Sequence, residues 1–100
     1  MKWVWTWGGK SFGYLDGDDL WTSSGKHVGR RRGDEIYAPD GKYLGEVMSD
    51  NRLIASRAKS GWRGPTFSPY GRRVGSVPYA PYVGNVMYVG YEDFPPPDSF

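Results

Sequence analysis

Written in lines of sixteen from Val4, the chain reads VWTWGGKSFGYLDGDD, LWTSSGKHVGRRRGDE and IYAPDGKYLGEVMSDN. Gly9, Gly25 and Gly41 fall in one column, Lys10, Lys26 and Lys42 in the next, and Gly13, Gly29 and Gly45 in a third. A fixed period of this length marks a repeated supersecondary unit, and it restricts the fold more than any other feature. A fourth line, residues 52–67, keeps only Leu53 in the aromatic column and Gly61 in the last glycine column. Two residues out of phase, TFSPYGRRVGSV (66–77) restores the pattern and is expected to be the fourth good copy.

Each unit reads as a β-hairpin. Asp40-Gly41 is a strong two-residue turn signal, and Gly8-Gly9, Ser24-Gly25 and Tyr70-Gly71 take the same place. With those pairs as loops, Trp5 is expected to face Phe12, Trp21 to face Val28, Tyr37 to face Leu44 and Phe67 to face Val74. On the other face, Val4, Leu20 and Ile36 lie across from Gly13, Gly29 and Gly45. Ordering sixteen residues costs roughly 16–32 kcal/mol of backbone entropy. Three or four buried apolar side chains return only about 1.5–3 kcal/mol each, so the units must share a core. The aromatic column is the expected core, and hairpins set around a common axis also close the sheet edges. The expectation is an all-β, pseudo-symmetric assembly of about four hairpins with little or no helix.

The segments WTWGGKSFGYL, LWTSSGKHVGR, IYAPDGKYLGE and FSPYGRRVGSV resemble the four-fold β-flower proteins, small bacterial domains of repeated hairpins around a pseudo-four-fold axis. The likeness covers residues 4–51 and 66–77. It implies a fold and carries no activity, and Arg57 departs from it where a turn glycine would stand. The domain is expected to span residues 1–93, with units at 4–19, 20–35, 36–51 and 66–79 and an insertion within 52–65. A proline-rich tail, FPPPDSF (94–100), reads as polyproline II.

The Gly-Lys-Ser of GGKSFG invites a phosphate-loop reading. That motif needs glycine seven positions before its serine and a following helix, whereas here Val4 occupies the position and a strand follows. The chain has no cysteine and one histidine, His27, so thiolate metal sites are excluded and a histidine-based one is disfavoured. His27 is expected at the surface. DGDD (16–19) lacks the next ligands of a calcium loop, and Arg32-Gly33-Asp34 lies within an ordinary turn. Trp3, Trp5 and Trp7 alternate onto one strand face and are expected to pack in the core or at its rim. No cofactor or metal is expected, and no stretch is long and apolar enough to span a membrane. The N-terminus lacks an apolar signal region, which favours a cytoplasmic protein.

Charge is distributed unevenly despite a net +2. Residues 52–74 hold six basic residues and no acid, whereas residues 75–100 hold three acids and no base. Arg30, Arg31 and Arg32 run together, and Arg57, Lys59, Arg63, Arg72 and Arg73 are interleaved with Trp62 and Tyr70. Arginine beside exposed aromatic rings suits a protein interface or single-stranded nucleic acid. The leading expectation is a non-catalytic module that binds another protein, as an adaptor, an inhibitor or a homo-oligomer. The second is nucleic-acid binding through residues 52–75 with Arg30–Arg32. The third is a small-ligand binder or enzyme with a pocket on the pseudo-symmetry axis.

Overall fold

A computed structural model describes residues 1–100. The first seven strands are β1 (Lys2–Thr6), β2 (Ser11–Asp16), β3 (Asp19–Thr22), β4 (His27–Arg32), β5 (Glu35–Tyr37), β6 (Tyr43–Met48) and β7 (Arg52–Ser56). Each pairs antiparallel with the next. Parallel pairing of β7 with β1, Trp5 opposite Arg52 and Thr6 opposite Leu53, closes them into a seven-stranded barrel. An eighth strand, β8 (Tyr91–Asp93), adds to β7. The only helical turns are two short 3-10 segments, Arg57–Lys59 and Pro97–Ser99, and no helix is long and apolar enough to cross a membrane.

The three regular hairpins share one turn. Gly9 N–H donates to the Thr6 carbonyl and Thr6 N–H to the Lys10 carbonyl; the same two bonds recur at Gly25, Thr22 and Lys26, and at Gly41, Ala38 and Lys42. The glycines sit at φ +101°, +91° and +89°. These are three-residue loops ending in a left-handed residue, and they correct the two-residue loops expected above. Next to the turn, Trp5 therefore pairs with Ser11, Trp21 with His27 and Tyr37 with Tyr43, rather than with Phe12, Val28 and Leu44. A one-residue irregularity then restores Val4 opposite Gly13, Leu20 opposite Gly29 and Ile36 opposite Gly45, as expected.

The shared core is built by that aliphatic column, not by the aromatic one. Val4, Phe12, Leu15, Leu20, Val28, Ile36, Val47, Leu53 and Phe94 form a single buried cluster. Because side chains alternate across a strand, Trp5, Trp21 and Tyr37 turn to the opposite face. There they are buried by the rest of the chain.

That covering is a long strap, residues 60–90, and it replaces the hairpin expected at 66–77. Its own period is nine: Tyr70, Tyr79 and Tyr88, Pro69 and Pro78, Gly75 and Gly84. Gly64, Arg73 and Tyr82 donate their N–H groups to the carbonyls of Gly41, Gly25 and Gly9, at 2.8–2.9 Å. Phe67, Ser76 and Asn85 donate to Pro39, Ser23 and Trp7, at 2.8–3.0 Å. Nine residues of strap thus serve sixteen residues of barrel, and the strap visits the hairpins in reverse order. The expected Phe67–Val74 pair does not form, because both residues lie on this single extended run and Val74 points into solvent.

The fourth petal is assembled from distant parts. β7 supplies its first strand, but Arg57 lacks glycine's access to the left-handed turn and the chain leaves in a 3-10 turn. β8 returns after the strap to pair with β7, Ser56 opposite Tyr91 and Ile54 opposite Asp93. Phe94 follows directly into the core, so residue 94 belongs to the domain rather than to a separate tail. Phe100 packs near Phe12 and Phe94, with ring centroids 5.7 and 6.3 Å apart.

The turn glycines answer to two demands, a positive φ and the overlying strap. A Cβ on Gly25 would collide with the Arg73 carbonyl, whereas one on Gly33, at φ +63°, would meet nothing within 4 Å. Gly33→Ala is expected to carry only the cost of a left-handed residue, about 1 kcal/mol. Gly25→Ala should add displacement of the strap and lose more, about 3 kcal/mol in all. Urea unfolding of both variants checks this; equal losses would contradict strap docking on the turn.

Candidate functional site

The outer face of the barrel and the strap meet through the aromatic column. The Tyr82 ring stacks on Trp5, with centroids 3.8 Å apart and planes at 10°. Nine residues earlier, the Arg73 guanidinium lies 3.9 Å from the Trp21 ring. Nine residues before that, Gly64 lies against Tyr37 so closely that an added Cβ would be 3.1 Å from the ring. A tyrosine, an arginine and a glycine thus occupy one structural position on three successive hairpins. The indole N–H groups of Trp5 and Trp7 tie the later strap by donating to the carbonyls of Ala80 (2.9 Å) and Val86 (3.0 Å).

Three polar side chains pin the assembly, and all three were poorly legible. His27 is buried rather than exposed, its ring packed against both Trp21 and Tyr70, with centroids 4.9 and 5.1 Å away. Tyr70 N–H donates to its Nδ1 at 2.9 Å, which places the ring proton on Nε2, facing the Gly29 carbonyl (3.1 Å) and Asp19 Oδ1 (3.0 Å). Arg52 is buried without a carboxylate; its guanidinium donates to the carbonyls of Thr6, Trp7 and Val83. Asp93 accepts the backbone N–H groups of Trp7 (2.9 Å) and Gly8 (3.0 Å) and fastens β8 to the first hairpin.

The candidate basic residues are mostly neutralised by neighbours. Arg30 contacts Asp19, Arg31 contacts Asp34, Arg57 contacts Glu92, and Arg73 contacts Asp16. Lys59 lies 3.1 Å from Glu46 and 3.4 Å from Glu35, with its ammonium 4.9 Å from the Trp62 ring. Arg32, Arg63 and Arg72 make no salt bridge. Arg30 and Arg32 border a small cleft of about 80 Å³ with Tyr37, Pro65, Thr66 and Phe67, and Arg30 rests on the Phe67 ring at 4.3 Å. Trp62 and Tyr70 are about half exposed. Five of the eight candidate cations thus spend their charge within the chain, a pattern that weakens a polyanion-binding face.

The barrel interior is filled by the core cluster, and the cavities lie outside it. The largest two are about 380 and 350 Å³. One lies between the first two hairpins, under Pro78, Pro81 and Pro97; the other lies between β6 and the fourth petal, beside Glu92 and Asp93. What the outer surface does present is apolar. Val74, Val77, Val83, Val86 and Val89 are each at least 86% exposed along the strap. No family model, no characterised protein and no solved structure matches this chain.

One buried network carries a pH signature. Tyr43 donates to Glu46 Oε1 and accepts the Ser56 N–H, both at 2.9 Å. Burial raises its pKa above the ordinary 10.0; the Ser56 bond pulls the other way, and Glu46 adds to the rise. For Lys59, burial alone would lower the value, but Glu46 and Glu35 outweigh it and hold the ammonium above 10.5. Both groups keep their protons longer folded than unfolded. Their contribution is therefore complete below about pH 10 and declines as pH rises through the folded values. The urea midpoint should fall above that pH. Tyr43→Phe should lower it throughout, by about 1–3 kcal/mol of stability for the Ser56 N–H left alone, and flatten the alkaline decline. Parallel curves for the two proteins would contradict this role for Tyr43.

Proposed function

We propose that this domain is a non-catalytic module that binds another protein through the outer face of its strap. The supporting observation is the row of exposed valines in a stretch, Val74 to Tyr91, that contains no charged residue. A row of exposed apolar side chains this long is a mark of an interaction site. Tyr79, Tyr82 and Tyr88, each about half exposed, add the aromatic character typical of interface centres. The hairpins beneath hold the strap in shape, so the contacting face is preorganised and little conformational freedom is lost on binding. Kinship in fold with the β-flower proteins and a cytoplasmic setting belong to the same reading.

Nucleic-acid binding through Arg32, Arg63 and Arg72 is the competing reading. The two differ in salt response and in which residues matter. A partner recovered with the wild-type protein and re-tested in purified form should bind at least about tenfold more weakly to Val77→Asp/Val86→Asp. It should bind about equally to Arg32→Ala/Arg63→Ala/Arg72→Ala, and change little between about 50 and 200 mM salt. Unchanged affinity for the valine variant would refute the proposal. A steep salt dependence with loss in the arginine variant would favour nucleic acid.

A further inference from the structure

The strap has a three-residue rhythm across its middle. Arg73, Ser76, Tyr82 and Asn85 send their N–H groups inward to the hairpin turns. Val74, Val77, Val83 and Val86, each one residue beyond such a donor, are exposed, as is Ala80, which keeps the same step after the unbonded Tyr79. Three residues per turn is the period of an extended polyproline-type chain, in which every third side chain lies on one edge. The outward edge therefore reads Val, Val, Ala, Val, Val, a sequence that is the same in both directions about Ala80.

Such a ridge has the form that a two-fold interface requires. In an isologous contact, residue i meets residue j of the other copy and j meets i. An axis at Ala80 with antiparallel straps sets Val77 opposite Val83 of the second copy, and Val74 opposite Val86. The smallest side chain of the row falls at the crossing, where two backbones come closest. An open cleft of about 330 Å³, lined by Trp5, Tyr79, Ala80 and Tyr82, lies at the same point. The stretch from Val74 to Tyr91 is free of charge, so two copies meet without like-charge repulsion and without stranding an ion. The carbonyls of Ala80, Val83 and Val86 are already taken by Trp5, Arg52 and Trp7, so the contact is made by side chains rather than by strand addition.

We propose that the strap ridge is a homodimer interface, with two straps crossing antiparallel at Ala80. This rests on the protein-binding reading above and names the partner as a second copy of the chain. A single ridge lies at the small end of specific interfaces, which points to association in the micromolar range.

The chain has no cysteine, so Ala80→Cys introduces a lone thiol at the proposed axis. Mild oxidation should convert that variant to a covalent dimer, because a thiol on the two-fold axis faces its own copy within disulfide reach. Arg72→Cys, exposed on the same strap but off the axis, should cross-link at least about tenfold more slowly under the same conditions. Light scattering should find wild type dimeric at about 200 μM, and Val77→Asp/Val86→Asp monomeric with an unchanged circular dichroism spectrum. Equal cross-linking of the two cysteine variants, or a wild type that stays monomeric at that concentration, overturns the dimer. If wild type is monomeric while the valine variant still loses a different partner, only the dimer falls. If the valine substitutions alter neither, the protein-binding reading falls with it.

Discussion

Three hairpin-turn glycines, each at positive φ with its carbonyl offered to an extended chain above it, set the conditions for the rest of this fold. The left-handed residue closes the three-residue loop and shifts the register so that the aliphatic column faces the barrel interior. The missing side chain lets the strap approach within hydrogen-bonding distance. The strap in turn buries Trp5, Trp21 and Tyr37, which the barrel alone would leave facing water. Barrel and strap are therefore one cooperative unit: without the strap an aromatic belt is exposed, and without the turns the strap has few partners for its backbone.

The sixteen-residue period announced this arrangement only in part. Hairpins, all-β class, few-fold pseudo-symmetry and the Val4, Leu20 and Ile36 pairings with glycine were all readable, because turn glycines and strand alternation are local signals. The interior lies on the face opposite to the one the aromatic column suggests. Large aromatic residues suggest a core by size, yet here the Trp5, Trp21 and Tyr37 column lines the joint between two layers, while aliphatic residues with Phe12 and Phe94 fill the barrel. Residues 66–77 imitate a hairpin, since a step of the strap also joins an aromatic residue, a Tyr-Gly pair and a Val-Gly pair. Only the nine-residue spacing of Tyr70, Tyr79 and Tyr88 tells the two apart. The return of β8 and Phe94 to complete the fourth petal is a long-range pairing with no local signature.

The candidate site shows the same division. A run of basic residues was visible, but its pairing with Asp16, Asp19, Asp34, Glu35, Glu46 and Glu92 depends on tertiary neighbours. From the sequence His27 reads as a surface residue, because nothing local indicates that a backbone N–H 43 residues away will find its Nδ1. Arg52 is the converse case, a cation in a buried strand that serves as a triple donor to carbonyls rather than as a charge to be matched. What remains outward is the neutral valine edge, which lay between the charged segments and drew no attention by composition.

Residues 64–85 form a tethered strap rather than a loose loop, and amide hydrogen exchange measured residue by residue tells the two apart. A tethered strap gives protection in a three-residue rhythm. The amides of Gly64, Phe67, Tyr70, Arg73, Ser76, Tyr82 and Asn85 should exchange slowly, and those of Val74, Val77, Tyr79, Val83 and Val86, which have no acceptor within the chain, should exchange fast. Uniformly fast exchange from 64 to 85, with the barrel strands still protected, would show that the strap is not held as described and would remove the basis of the surface built on it.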